Sequence, residues 1–310
     1  MRGPAARQDL EDRVDGSMAM TDNGEQAAPE PVVLLLCDDF FVIPRLQDAA
    51  RAAGLSPVVI DHPQALDAEG DPAPRRVPIT EPLEGSDARF LRGVVDLQPA
   101  LMVFDLSSSA LPWARWIQIL TTSAATRRIP LMAFGPHVDE HSLQRARELG
   151  AWKVLPRGAF LGALPGLLAE HALRPDRVAI EAACDGALDA RVVEGIRLVQ
   201  AGDYFGAHEH LEAAVLGSNG PESALYRVLL QVAVAYLHLE RGNLRGARKM
   251  LLRLRGWLAP LPAACRGVDL AQLREDVHAL QAALDAASSE PSTPVPAGLR
   301  RPIPLMDAPD

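Results

Sequence analysis

The run Val32-Val33-Leu34-Leu35-Leu36-Cys37-Asp38-Asp39 decides the fold. A short, unbroken apolar run that ends in acids suits a strand covered on both faces, as strands of a parallel sheet are. The same plan returns at Pro57-Val58-Val59-Ile60, at Leu101-Met102-Val103-Phe104 before Asp105, at Pro130-Leu131-Met132-Ala133-Phe134 and at Trp152-Lys153-Val154-Leu155. Helical stretches lie between and after them, near residues 47–53, 87–97, 113–121, 140–149 and 160–171, with Gly54 and Gly150 as stops. Residues 62–86, rich in Pro, Gly, Asp and Glu, carry no period and read as a long loop. Strand and helix in alternation predict a doubly wound five-stranded parallel sheet, because parallel neighbours need crossover connections and these crossovers are helical.

In such a sheet the acids ending the first and third strands converge at the edge where these folds bind ligands. With Asp38, Asp39 and Asp105 so placed, residues 31–171 resemble the receiver domain of bacterial response regulators. The resemblance implies that Asp38 and Asp39 match the metal-binding acidic pair and that Asp105 matches the phosphoacceptor. Two further positions depart from the family. Its hydroxyl residue after the fourth strand falls at Gly135, and its lysine after the fifth falls at Arg157. Those two groups hold the acyl-phosphate oxygens in the family, so the expectation is a degenerate receiver that docks a protein partner or forms a homodimer. Its acids could also hold a divalent cation through oxygen ligands.

From Asp189 onward the pattern is helical. Asp189, Asp203 and Asn243 stand where side-chain oxygens cap first turns, Pro221 suits the opening of a further helix, and Asp269 with Gln272 forms a capping box. These signals predict a five-helix bundle over residues 189–286. Gly202, Asp203, Gly206, Ala207 and Leu211 are echoed forty positions on by Gly242, Asn243, Gly246, Ala247 and Leu251, an internal repeat of close-packed helix starts. The stretch Tyr204-Phe205-Gly206-Ala207-His208-Glu209-His210-Leu211-Glu212, followed by Gln231, His238, Gly242 and Asn243, resembles the small helical domain known as domain of unknown function 309. That resemblance implies a fold and leaves the activity open. His208 and Glu212 share a helix face, as do Gln231 and His238, so the two faces could meet as a buried polar network. The lesser alternatives are a divalent metal site with Glu209 as a base beside it, although the metalloprotease HExxH pattern is absent, and a small-molecule or peptide pocket. Arg241, Arg245, Arg248 and Lys249 make a basic stripe that reads as a solvated face.

The formal net charge of −9 argues against broad contact with nucleic acid, and no apolar run is long enough to span a bilayer. Cys37, Cys184 and Cys265 are odd in number and far apart; no disulfide is expected, and a reducing cytoplasm fits. Residues 1–30 and the Pro-rich tail 287–310 read as disordered, the latter alternatively as a ligand for a proline-binding groove, and 172–188 as a linker. The function expected is that of a non-enzymatic regulatory or adaptor protein. A metal-dependent hydrolase at the His/Glu cluster and a phosphorylation-responsive regulator using Asp105 are the competing classes.

Overall fold

The computed structural model describes residues 30–62, 83, 85–289 and 297–306. The extension 1–29 and most of the 62–86 loop lie outside them. The chain divides into an α/β unit running to Arg174, apart from residues 123–126, and a helical unit from Pro175.

In the α/β unit the order is β1 (Val32–Leu36), α1 (Ile43–Ala52), β2 (Ser56–Ile60), α2 (Gly85–Leu97), β3 (Leu101–Asp105), α3 (Trp113–Thr122), β4 (Leu131–Gly135), α4 (Glu140–Glu148), β5 (Lys153–Pro156) and α5 (Arg157–His171). The strands lie in the order β2-β1-β3-β4-β5, all parallel. Every residue of β3 and β4 is buried, which explains the unbroken apolar runs: both faces are covered. On one face Leu35, Val103 and Phe134 meet Leu46 and Phe160 from the flanking helices, and the Phe134 and Phe160 rings stack at 4.8 Å. Trp116 of α3 is buried and stacked on Phe90 of α2 at 3.9 Å. The chain order of the strands switches direction across the sheet between β1 and β3, so their C-terminal ends flank the crevice where this topology binds ligands.

The helical unit contains α6 (Arg177–Cys184), α7 (Ala190–Ala201), α8 (Tyr204–Gly217), α9 (Ser223–Glu240), α10 (Leu244–Leu258), a short hairpin of β6 (Ala264–Cys265) and β7 (Val268–Asp269), and α11 (Leu270–Ser289). Asp189, Asp203 and Asn243 each accept a first-turn amide at 2.8–2.9 Å, and Asp269 accepts from Gln272 at 2.9 Å. Gly202 and Gly242, which precede two of these caps, have φ of +81° and +68°, a backbone region open to glycine at little cost. The repeat is thus a helix stop followed by a capped restart. Gly195 explains the close approach of α7 and α8: a Cβ there would stand 2.6 Å from the fully buried Leu211 side chain.

Three expectations need correction. Residues 172–188 are not only a linker, because Asp176 caps α6 within them, accepting from Ala179 N at 3.0 Å. Cys184 and Cys265 form a disulfide. The hairpin carries Cys265 back to the end of α6, where Arg266 N donates to Cys184 O at 2.8 Å. Last, part of the tail is ordered against the bundle. Beyond a 3₁₀ turn (Ala297–Leu299), Ile303 is 2% exposed in the core of the unit and Leu305 bridges antiparallel to Val268.

Candidate functional site

The crevice of the α/β unit is built from the ends of β1, β3 and β5. Asp39 follows β1 and starts the turn into α1: its Oδ1 accepts from Phe41 N at 2.9 Å, and its carbonyl accepts from Val42 N and Ile43 N. Asp38 accepts from Ser108 Oγ at 2.8 Å. Asp105, the last residue of β3, is 0% exposed. Its Oδ1 accepts from Ser107 N at 2.9 Å and Ser107 Oγ at 2.5 Å, and its Oδ2 from Cys37 Sγ at 3.4 Å and Arg157 Nη2 at 3.1 Å.

Arg157 is the first residue of α5, directly after the N-cap Pro156, and there its side chain reaches across the crevice. Nη1 donates to Asp39 Oδ2 at 2.7 Å, while Nη2 donates to Asp105 and, at 2.6 Å, to Ser107 Oγ. The guanidinium lies 5.9 Å from the centre of the Phe134 ring. One planar fork therefore ties together two carboxylates and a hydroxyl, a geometry that the single point charge of an ammonium does not offer.

The charges respond accordingly. The Phe41 amide, followed by the Arg157 contact, holds Asp39 below the usual carboxylate range. Burial opposes the charge on Arg157, yet Asp105 and Asp39 together outweigh it and raise its pKa. Burial, with Asp105 alongside, pushes the Cys37 thiol up to about 12, so it serves as a neutral donor.

Arg157 already bridges Asp39 and Asp105, and among the described residues no group of three His, Cys, Asp or Glu side chains could hold a metal ion. At the family's hydroxyl position a Cβ on Gly135 would stand 3.2 Å from Leu106 Cβ. A side chain there would have to displace its neighbour.

The polar residues of the helical unit separate into two groups. His208 Nε2 lies 3.8 Å from Glu212 Oε2 on a half-exposed face of α8, and Glu209 is exposed. Gln231 is buried in α9, with its Oε1 without a partner among the described residues. His238 Nδ1 is 3.1 Å from Asn243 Nδ2, while Asn243 Oδ1 caps α10 through Gly246 N. A Cβ on Gly246 would stand 2.7 Å from the His238 ring, so His238, Asn243 and Gly246 form one interlocked joint between α9 and α10. Among the described residues no hydrogen bond or ion pair joins His208 or Glu212 to Gln231 or His238. Cys37, Ser107 and Ser108 are site residues that the sequence reading did not assign. Their nearness to the acids was the available signal, but Cys37 and Ser108 donate to acids about seventy positions away, which only the folded sheet brings close.

Strand order, helical crossovers and acids at the ends of β1 and β3 define a receiver-type α/β fold. Solved structures similar to the chain include a response regulator receiver domain from Rhodospirillum rubrum, at 17% identity over 44% of this chain and 91% of that one, TM-score 0.33. Another is the signal receiver domain of a signal transduction histidine kinase from Syntrophus aciditrophicus, at 13% identity over 47% and 95%, TM-score 0.34. Full-length FixJ from B. japonicum covers more, at 17% identity over 74% and 98%, TM-score 0.30. In the helical unit, residues 192–250 match the family described as Domain of unknown function (DUF309). No curated protein matches the chain.

Proposed function

We propose that the chain is a non-enzymatic regulatory adaptor, in which a receiver-like unit holds one fixed state and a helical unit receives a protein partner. The observation that carries this reading is Arg157. With both Asp105 oxygens already accepting hydrogen bonds and the residue fully buried, no carboxylate oxygen is presented to a phosphoryl donor. An internal cation replaces the switch. Incubation of the full chain with acetyl phosphate and magnesium, followed by intact-mass measurement, should leave the mass unchanged. A gain of one phosphoryl group that is lost in Asp105→Asn would overturn the reading in favour of a phosphorylation-responsive regulator.

Docking of a second copy through the receiver-like unit belongs to the same reading. Phe40 and Phe41, 78% and 91% exposed beside Asp39, are the apolar side chains such a contact would use. Sedimentation equilibrium should give a dimer that Phe41→Ser weakens at least tenfold, and a monomeric wild type at high concentration would remove the dimer from the proposal.

A further inference from the structure

The ordered tail occupies a groove with defined chemistry. The hairpin turns on Arg266 and Gly267, both at positive φ (52° and 78°), as a two-residue turn of the primed type requires. Arg266 is held in that unusual conformation by its own side chain, which donates to Ala183 O, Ala187 O and the Tyr226 hydroxyl. One edge of β7 pairs with β6, and the other is the edge the tail meets. The tail meets that edge through one antiparallel bridge, Val268 with Leu305: Asp269 N donates to Pro304 O at 3.0 Å and Met306 N to Gly267 O at 2.9 Å.

Side-chain recognition is equally specific. Ile303 is buried in the bundle core. Arg301 Nη1 donates to Asp276 Oδ1 at 2.7 Å, and the Tyr236 hydroxyl donates to Arg301 O at 3.0 Å. Arg300 lies 5.7 Å from the Tyr204 ring, which packs edge-on against Tyr236. Asp276 is itself a buried carboxylate, 7% exposed, whose Oδ1 accepts from Gln272 Nε2 at 3.0 Å as well as from Arg301, and its burial favours a cation beside it. Pro302 and Pro304 fix φ on either side of Ile303, so the segment arrives already extended. The apolar contact is confined to one position: Leu305 and Met306 remain 49% and 54% exposed, whereas Ile303 is covered.

We propose that this groove is a docking site for an extended peptide of another protein that carries two basic residues followed, two positions after the second, by a β-branched aliphatic one, and that residues 297–306 are its intramolecular stand-in. Edge addition supplies backbone bonds, Asp276 and the Tyr204 face select the basic pair, and the Ile303 cavity selects the aliphatic residue. The inference deepens the adaptor reading of the helical unit by naming the partner's chemistry. A tethered segment competes at high effective concentration, so a partner gains the groove only when its own affinity or a second contact outweighs the tether.

The test uses the full chain with its tail loosened by Arg301→Glu and Ile303→Asp. A fluorescent peptide of sequence 297–306 should bind this variant saturably and at least tenfold more tightly than it binds wild type. Adding Asp276→Asn should weaken that binding at least tenfold. A second peptide that keeps only the basic pair and the aliphatic residue, with the remaining positions changed, should bind within tenfold of the first. Absence of saturable binding to a loosened variant with native circular dichroism overturns the proposal, as does failure of the second peptide. Should the loosened variant not fold, a protease site inserted between Ser289 and Ala297 and cut after folding replaces it. The labelled peptide must then exchange with the severed segment, and no exchange, or collapse of the unit on cutting, has the same negative meaning. Tail-dependent self-association of wild type by light scattering, abolished by Ile303→Asp, would make a second copy the occupant and overturn the choice of a foreign partner. None of these outcomes alters the mass measurement on Asp105, so the two readings fail separately.

Discussion

Position 157 shows how one residue type changes what a shared fold can do. A lysine there would present a hydrated point charge on a flexible stem. The arginine instead closes the crevice with donors aimed at Asp39, Asp105 and Ser107 at once. The position was legible in the sequence, whereas the closure was not, because the guanidinium's three partners come from two chain segments, after β1 and at the end of β3, both far from Arg157 in sequence. Cys37 completes the enclosure from beneath, and it yields a pH prediction. Folded Cys37 holds its proton up to about 12, whereas the ordinary value is 9.0. Between these limits the unfolded chain binds fewer protons than the folded one, so stability is fully present below pH 9 and falls as pH rises toward 12. The slope from this one group is at most about 1.4 kcal/mol per pH unit. Urea midpoints across that range should fall less steeply in Cys37→Ser, which keeps a donor to Asp105 but does not titrate. Identical slopes for the two proteins would contradict the enclosure of Cys37.

At the scale of elements, legibility followed the range of the signal. Strands β1, β3 and β4 announce themselves because burial on both faces leaves no polar position to break the run. The caps at Asp189, Asp203 and Asn243 act within three residues and could be read locally. Neither the disulfide nor the tail strand has such a signal. Cys184 and Cys265 lie 81 positions apart, and only the hairpin brings them together. The tail's prolines read as disorder because the edge that receives them exists only after α11 and the hairpin have formed. The tether makes a firm prediction: denatured, unreduced protein should show one reactive thiol, Cys37, and three after reduction. A closed loop of this length is worth about 4 kcal/mol in the chain-entropy picture, an upper figure since the denatured state keeps structure. Cys265→Ser should lower stability by some appreciable part of that, and an unchanged urea midpoint would mean that the bond does not form.

For the whole molecule, the decisive fact is that each unit keeps a core of its own residues. The cluster around Leu35, Val103 and Phe134 draws only on the α/β unit, and the one around Leu211, Leu229 and Leu251 only on the helical unit. Cooperative unfolding follows a shared core, so a chain with two of them need not melt in one step. Arg157→Ala strips the cation from a buried carboxylate and a half-exposed one, which should cost about 2 kcal/mol, less than a wholly buried pair because Arg157 itself reaches solvent. Removing the disulfide acts only on the closed loop between α6 and the hairpin. Calorimetry on wild type, Arg157→Ala and Cys265→Ser should therefore resolve two transitions, the first substitution moving one and the second moving the other. If either substitution moves both by equal amounts, the two cores unfold as one and the units are not independent.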